Sequence, residues 1–155
     1  MRFKNTMAAC SVAVAALLVP LAATPAAAAT PTTGDSVRAT DYSYSGSFEI
    51  GWRVGPNKLD PVKITLRDTK TDGYAVGARL ITNGSDGKIV WRMRTIPSGQ
   101  DTASWTTYAA PGGWISNAYF EICKIKVSTG AVSYCDTTRV MHNPISDDDN
   151  TPFPG

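Results

Sequence analysis

The sequence predicts an all-β domain, an antiparallel β-sandwich of about seven short strands. Apolar and polar residues alternate with a period near two through most of the chain between Tyr42 and His142. Such alternation is typical of strands with one buried face. Glycine, proline, asparagine and aspartate interrupt the runs about every ten residues and supply turns. Beyond the N-terminal segment no stretch shows the helical period of about 3.6 residues. A small β-barrel is the alternative architecture.

The alternating runs place the strands in order along the chain. They predict strands over Ser47–Trp52, Val62–Arg67, Ala75–Ile81, Lys88–Arg94, Ala118–Val127 and Val132–Val140. In the fourth of these runs Ile89, Trp91 and Met93 are expected on one face of a continuous strand, with the basic residues largely opposite. Turn residues separate each run from the next, which favours hairpin connections.

Residues 1–29 predict a secretory signal peptide. Arg2 and Lys4 form a positive start, an apolar stretch follows over Met7–Ala23, and Ala26–Ala29 supplies the small residues that signal peptidase requires. The apolar stretch is shorter than the roughly 20 residues of a transmembrane helix. We therefore expect a secreted, extracellular protein, cleaved within or just after the alanine run, whose mature form has no membrane span.

The mature chain is expected to contain one folded domain, over residues 42–142, with irregular ends. Residues 30–41 begin with the threonine-rich stretch Thr30-Pro31-Thr32-Thr33-Gly34, which predicts a flexible N-terminal segment. Residues 143–155 contain three consecutive aspartates and no apolar periodicity, which predicts a disordered acidic tail.

The charge of the mature chain is balanced. Once Arg2 and Lys4 leave with the signal peptide, 13 basic residues remain against 13 acidic ones. Nucleic acids and anionic membranes select proteins with a strong basic patch. The composition therefore argues against both as the main partner.

Two cysteines remain in the mature chain, because Cys10 leaves with the signal peptide. An even pair in an exported protein is read as a disulfide. Cys123 and Cys135 flank the turn sequence Val127–Ala131, and a hairpin centred there sets them opposite each other. Gly130 occupies a position where such a turn requires a positive φ. The sequence therefore predicts a Cys123–Cys135 disulfide.

The sequence offers few groups for catalysis and no metal or cofactor site. The single histidine, His142, lies beside the predicted tail, where no third group would hold it for nucleophilic catalysis. Asp68–Gly73 resembles part of a calcium loop but has lysine at a ligand position, so a turn is the better interpretation. Glu49 and Glu121 are the only candidates for an acid/base pair.

Aromatic residues are the most suggestive feature for binding. Trp105, Tyr108 and Trp114 flank the loop Pro111-Gly112-Gly113 and are separated by small polar residues. Aromatic faces beside polar groups bind sugars or partner side chains, and loops at the ends of a sandwich often carry binding sites. These three residues are the candidate binding site. The alternative is that Trp105, like Trp91, belongs to the core.

Two segments carry a resemblance to a known class of proteins. These are Tyr119–Cys123 with its glycine turn leading to Tyr134-Cys135, and the Asp-Gly turn that begins Asp72–Arg79. Together they resemble small exported β-rich proteins of actinomycetes, most of which are uncharacterised. The resemblance implies an exported setting and brings no catalytic residues. Secreted subtilisin inhibitors of the same bacteria are similar in size but normally have two disulfides.

We therefore expect a secreted, monomeric, non-catalytic binding or interaction module whose partner is an extracellular glycan, a cell-envelope component or a protein. One alternative is an inhibitor of an extracellular enzyme such as a protease, with the Trp105–Trp114 segment as its contact element. Another alternative is a glycoside hydrolase that uses Glu49 and Glu121.

Overall fold

The computed structural model describes residues 29–53, 58–99 and 101–145. This part of the chain forms two antiparallel sheets and no helix, and the sheets do not close into a barrel, so the predicted β-sandwich is confirmed. The predicted signal peptide, except Ala29, and residues 146–155 of the predicted tail lie outside the described residues. Among the described residues, no helix has the length and apolarity needed to cross a membrane.

In the described part of the chain, ten strands make up the two sheets. They are β1 (Thr32–Arg38), β2 (Tyr44–Arg53), β3 (Lys58–Asp68), β4 (Tyr74–Gly84), β5 (Gly87–Val90), β6 (Arg94–Ile96), β7 (Thr102–Ala109), β8 (Ile115–Lys126), β9 (Val132–Thr137) and β10 (Met141–His142). Sheet A has the order β1-β2-β3-β7. Sheet B has β4 and β8 at its centre, with β5 and β6 beside β4 and with β9 and β10 beside β8.

The core lies between the facing sides of the two sheets. Period-two alternation turns Phe48 and Ile50 of sheet A, and Phe120 and Ile122 of sheet B, toward each other, and all four are buried. The rings of Phe48 and Phe120 stack with their centroids 4.4 Å apart. This contact joins β2 to β8 across the middle of the sandwich and fixes which strands face each other.

The predicted flexible segment over residues 30–41 is wrong, because most of it forms the edge strand β1. β1 pairs with β2 from Thr32 opposite Gly51 to Arg38 opposite Ser45. The strand shows no apolar alternation in the sequence, because two of its three half-buried inward positions are polar. Thr33 accepts a hydrogen bond from the Trp52 indole Nε1 at 2.6 Å, so it is satisfied without being apolar.

The start of the predicted disordered tail is also ordered. Asn143 is buried, and its side-chain amide donates to the Ile115 carbonyl at 2.9 Å. Ile145 packs against the core. The folded domain therefore extends three residues past the predicted boundary at His142, held by a polar side chain that apolar periodicity does not detect.

The predicted hairpin that joins the cysteines is confirmed in its main feature. Cys123 lies directly opposite Cys135, and their Sγ atoms are 2.12 Å apart, at disulfide distance. The turn is one residue longer than predicted, because a bulge follows Lys124 and brings Lys126 opposite Ala131. Gly130 has the expected positive φ, 70°.

A group of charges surrounds Lys124 at one end of the sandwich. Its ammonium lies 2.8 Å from an Asp72 carboxylate oxygen and 3.8 Å from one of Asp41. Hydrogen bonds from the Ser43 hydroxyl and backbone N–H hold the pKa of Asp41 well below its usual value. Partial burial is the largest single influence on the Asp72 carboxyl and pushes its pKa upward. The hydrogen bond and charge of Lys124, together with the hydrogen bond from the Tyr74 backbone N–H, outweigh burial, so this pKa is also lowered.

These lowered pKa values predict loss of stability in acid. A carboxylate with a lowered folded-state pKa binds fewer protons in the folded chain than in the unfolded chain, so its contribution is present above the unfolded value near 3.9 and is lost below it. We expect the urea midpoint to fall as the pH drops from about 5 to about 3. Asp72→Asn should flatten that decrease. A midpoint constant over this window would contradict the contribution of these contacts.

Candidate binding cleft

Polar contacts join the two sheets along one side of the sandwich. β1 lies on this side of sheet A, and β9 and β10 lie on the same side of sheet B. Asp35 accepts a hydrogen bond from the Arg139 backbone N–H at 2.9 Å, and the Arg139 guanidinium donates to the Gly34 carbonyl at 3.2 Å. The buried Tyr44 hydroxyl donates to Asp136 at 2.5 Å. These contacts join the two sheets along this side.

The opposite side, between β7 and the β5–β6 segment, is not joined in this way. Within residues 29–53, 58–99 and 101–145, no strand pairing or hydrogen bond connects β7 to β5 or β6. The two sheets therefore part along this side, and a cleft opens between them.

The β5–β6 segment forms one wall of the cleft and differs from its prediction. The expectation of one continuous strand with Trp91 and Met93 on the same face is wrong, because residues 91–93 interrupt the ladder between β5 and β6. Trp91 packs against the core, and its indole Nε1 donates to the Thr82 hydroxyl at 3.0 Å. Met93 lies on the outer face, against the bare backbone of Gly77.

The cleft has an apolar floor and a basic rim. Its volume is about 90 Å³. Buried residues of both sheets form the floor, and the partly exposed Trp91 and Thr107 line it with them. Arg92, Arg94 and Tyr108 surround the opening. The lining residues are Val62, Ile64, Leu80, Trp91, Arg92, Arg94, Thr107, Tyr108 and Ala109.

Among the described residues that line the cleft, the two arginines are the charged ones. Arg94 pairs with Ala78, whose side chain faces the core, so the register turns Arg94 toward the inside of the sandwich as well. Neither guanidinium forms an ion pair with a carboxylate among the described residues. A guanidinium presents several N–H donors in one plane, which matches a carboxylate, sulfate or phosphate group.

Of the three predicted binding residues, only Tyr108 lines the cleft. Its side chain is 61% exposed, and the Lys58 ammonium lies 4.6 Å from the ring centroid. Trp105 is partly buried and packs against the core, as the alternative prediction had it. Trp114 is 40% exposed on the loop after β7 and makes no ring contact with Tyr108 or Trp105 among the described residues. The structure therefore does not gather the three aromatic residues into one site.

The loop that carries Trp114 is docked against the turn between β4 and β5. The Trp114 backbone N–H donates to the Ser85 hydroxyl at 2.9 Å, and the Ser85 N–H donates to the Trp114 carbonyl at 3.0 Å. Gly84 and Gly113 allow this approach, since a Cβ at either position would meet the opposing segment at 1.6 Å or 2.2 Å. The two glycines therefore have a packing role, and Trp114 is held in a fixed position.

The predicted carboxylate pair is not brought together. Glu49 and Glu121 occupy positions on the outer faces of different sheets, which point to opposite sides of the sandwich. Each carboxylate is bound by a cation on a neighbouring strand, Lys63 at 2.8 Å and Arg79 at 2.7 Å. Packed sheets are about 10 Å apart, whereas glycosidase carboxyl groups are about 5–9.5 Å apart. These two residues therefore cannot flank one glycosidic bond. His142 is exposed on β10.

One group of potential metal ligands occurs among the described residues, formed by Glu121, Cys123 and Cys135. The two sulfur atoms lie at bonding distance from each other, so neither is free as a thiolate ligand. This leaves Glu121 alone, and its carboxylate is bound by Arg79.

Sequence reasoning missed Trp91, Arg92 and Arg94 as cleft residues. The available signal was the dense run of basic and aromatic residues over Lys88–Arg94. A regular alternation assigned the arginines to the solvent side, whereas the break at residues 91–93 reverses the facing of Arg94. Comparison of the chain with protein-family models, curated proteins and solved structures finds no match.

Proposed function

We propose that the mature chain is a secreted, monomeric and non-catalytic binding module that recognises its partner at the cleft between β7 and the β5–β6 segment. The observation that supports this function is the presence of Arg92 and Arg94, which form no ion pair within the described part of the chain, at the mouth of an apolar cleft. Arg92 is exposed and Arg94 is half-buried, so both remain hydrated, and their N–H donors can reach an anion from outside. Two unpaired guanidinium groups at one opening are therefore available to an external anionic group.

The partner is an extracellular glycan, a cell-envelope component or a protein that carries such a group. Trp91 adds aromatic surface to the cleft, which suits a sugar ring or an apolar side chain next to the anion. Because the mature chain is neutral overall, recognition depends on this local pair of charges and not on a general basic surface.

Removal of both cleft charges should weaken partner binding. We expect the double variant Arg92→Gln/Arg94→Gln to raise the Kd by at least about tenfold, which corresponds to about 1.4 kcal/mol. The screen would use neutral and acidic soluble polysaccharides, isolated cell envelopes and a panel of extracellular proteins, with titration calorimetry for each hit.

Arg38→Gln/Arg67→Gln is the matched control. It removes the same number of charges from the outer face of sheet A, away from the cleft. Its Kd should stay within about twofold of wild type. Equal effects of the two double variants would show a general charge effect, and an unaffected cleft variant would place the binding site elsewhere.

A further inference from the structure

Strand β7 is an unprotected sheet edge. It is eight residues long and contains no charged residue, glycine or proline, and β3 is its only neighbour among the strands of the described residues. Such edges readily pair with another chain, and proteins usually block them with charges, bulges or short length. Other edges of this domain carry these protections: Arg139 binds β1, β5 and β6 have four and three residues, and β9 contains Asp136 and a bulge at Ser133.

The register shows which backbone groups of β7 point away from β3. The Asp68 N–H donates to the Asp101 carbonyl at 2.9 Å, just beyond the end of the β3–β7 ladder. Hydrogen-bonded and non-hydrogen-bonded pairs alternate in an antiparallel ladder. Since Asp68 and Asp101 form a hydrogen-bonded pair, every second residue of β7 from Asp101 onward, namely Ala103, Trp105 and Thr107, directs its backbone N–H and C=O groups toward β3. The backbone groups of the alternate residues, Ser104 and Thr106 among them, therefore face outward.

We propose that β7 accepts an extended acidic segment of a partner protein as an additional strand of sheet A. This inference rests on the proposed binding function and specifies its partner. Strand addition gives affinity through backbone hydrogen bonds, and pockets that receive alternate side chains give sequence preference. β7 supplies the first component, since no strand within residues 29–53, 58–99 and 101–145 lies beside the outward N–H and C=O groups of Ser104 and Thr106.

The adjacent cleft supplies the second component. Thr107, Tyr108 and Ala109 of β7 line the same cleft as Arg92 and Arg94, so the next strand position in sheet A borders its mouth. Every second side chain of an added strand faces the inner side of the sheet. An aspartate or glutamate at such a position meets the arginines, and this charge complementarity selects an acidic segment.

The test uses Thr106, because its N–H points outward and its exposed side chain packs against nothing in the core. Thr106→Pro removes this donor and leaves the hydrogen bonds from β7 to β3 in place, since proline is tolerated on the free side of an edge strand. Thr106→Ala is the matched control, because it removes the same side chain and retains the N–H.

A phage-displayed library of random peptides of about nine residues, long enough to contain a typical β-strand of about five or six, is selected on the full protein and counter-selected on Thr106→Pro. We expect enriched peptides to carry aspartate or glutamate at alternate positions. A synthetic copy of an enriched peptide should lose at least about tenfold in affinity with Thr106→Pro and stay within about twofold with Thr106→Ala. It should also slow amide hydrogen exchange at Ser104 and Thr106.

Peptides N-methylated at alternate residues provide a second test that leaves the protein unchanged. Methylation on the face that bonds to β7 should abolish binding, and methylation on the other face should not. If methylation on the two faces weakens binding equally, strand addition is overturned. It is also overturned if the unmethylated peptide binds a folded Thr106→Pro variant with the wild-type affinity. Enrichment of neutral or basic peptides would overturn the acidic partner. Slow, concentration-dependent exchange at Ser104 without peptide would identify a second copy of the chain as the occupant and overturn the proposal.

The proposed function can be separated from this inference with the Arg92→Gln/Arg94→Gln variant. If that variant loses binding to a partner while Thr106→Pro binds normally, the cleft function stands and strand addition fails. If both variants bind as wild type does, both proposals fail.

Discussion

Gly84→Ala is expected to lower the free energy of unfolding by about 3 kcal/mol, near the upper end of overpacking costs. A Cβ at this position would lie 1.6 Å from the Trp114 carbonyl oxygen and 2.7 Å from its carbon. Both atoms belong to the backbone, so no side-chain rotation relieves the clash. Either the end of β4 or the Trp114 loop must move, which breaks the two hydrogen bonds between Ser85 and Trp114.

Urea unfolding of Gly84→Ala beside Gly112→Ala would check this expectation. Gly112 lies on the same loop, but a Cβ there would meet only an Asp86 carboxylate oxygen, at 3.4 Å. Its φ is outside the left-handed region, so alanine is compatible with the backbone. We expect a change within about 0.5 kcal/mol for this control. Equal stability of the two variants would show that the loop adjusts to the added methyl group without loss of the docked contacts.

Cys135→Ala is expected to cost about 2–5 kcal/mol of stability. The bond to Cys123 closes a loop between residues 12 positions apart, and its loss restores conformational freedom to the unfolded chain. Cys123 is fully buried on β8, between β4 and β9. Removal of the Cys135 sulfur therefore also removes a packing contact of this buried residue. A small domain has only about 5–15 kcal/mol of net stability, so the loss is a large share.

Chemical unfolding of oxidised wild type, reduced wild type and Cys135→Ala measures this contribution. Reduced wild type should unfold close to the variant, since both lack the bond. Rapid labelling of Cys123 by a thiol reagent in native oxidised protein would contradict the bond itself. If Cys135→Ala is as stable as oxidised wild type, the β8–β9 hairpin does not depend on the disulfide.

The parts of the fold that depend on near neighbours in sequence were predictable. The hairpin that sets Cys123 opposite Cys135 depends on one turn, and its glycine and spacing are visible in the sequence. Strand β1 was not predictable from apolar alternation, because Thr33 and Asp35 occupy inward positions and are satisfied by hydrogen bonds to distant residues.

The cleft was predictable only in part, because it combines strands from two sheets. Tyr108 was a candidate on the basis of local composition. Arg94 joins it only because β6 pairs with β4 at Ala78 and because the open side of sheet B faces the β7 side of sheet A. For the same reason the sequence could not show whether Glu49 and Glu121 lie close together. The structure places them in different sheets.

The position of β7 in sheet A has a consequence for the order of folding. β1, β2 and β3 are consecutive in the chain and pair with their sequence neighbours, whereas β7 pairs with β3 across the intervening strands β4, β5 and β6. Long-range pairing of this kind must close a large loop first, which slows folding. We therefore expect β7 to be the last strand to join sheet A and the first to detach. A partner bound along its free side would then lengthen the lifetime of the folded state, because detachment of β7 would also require release of the partner.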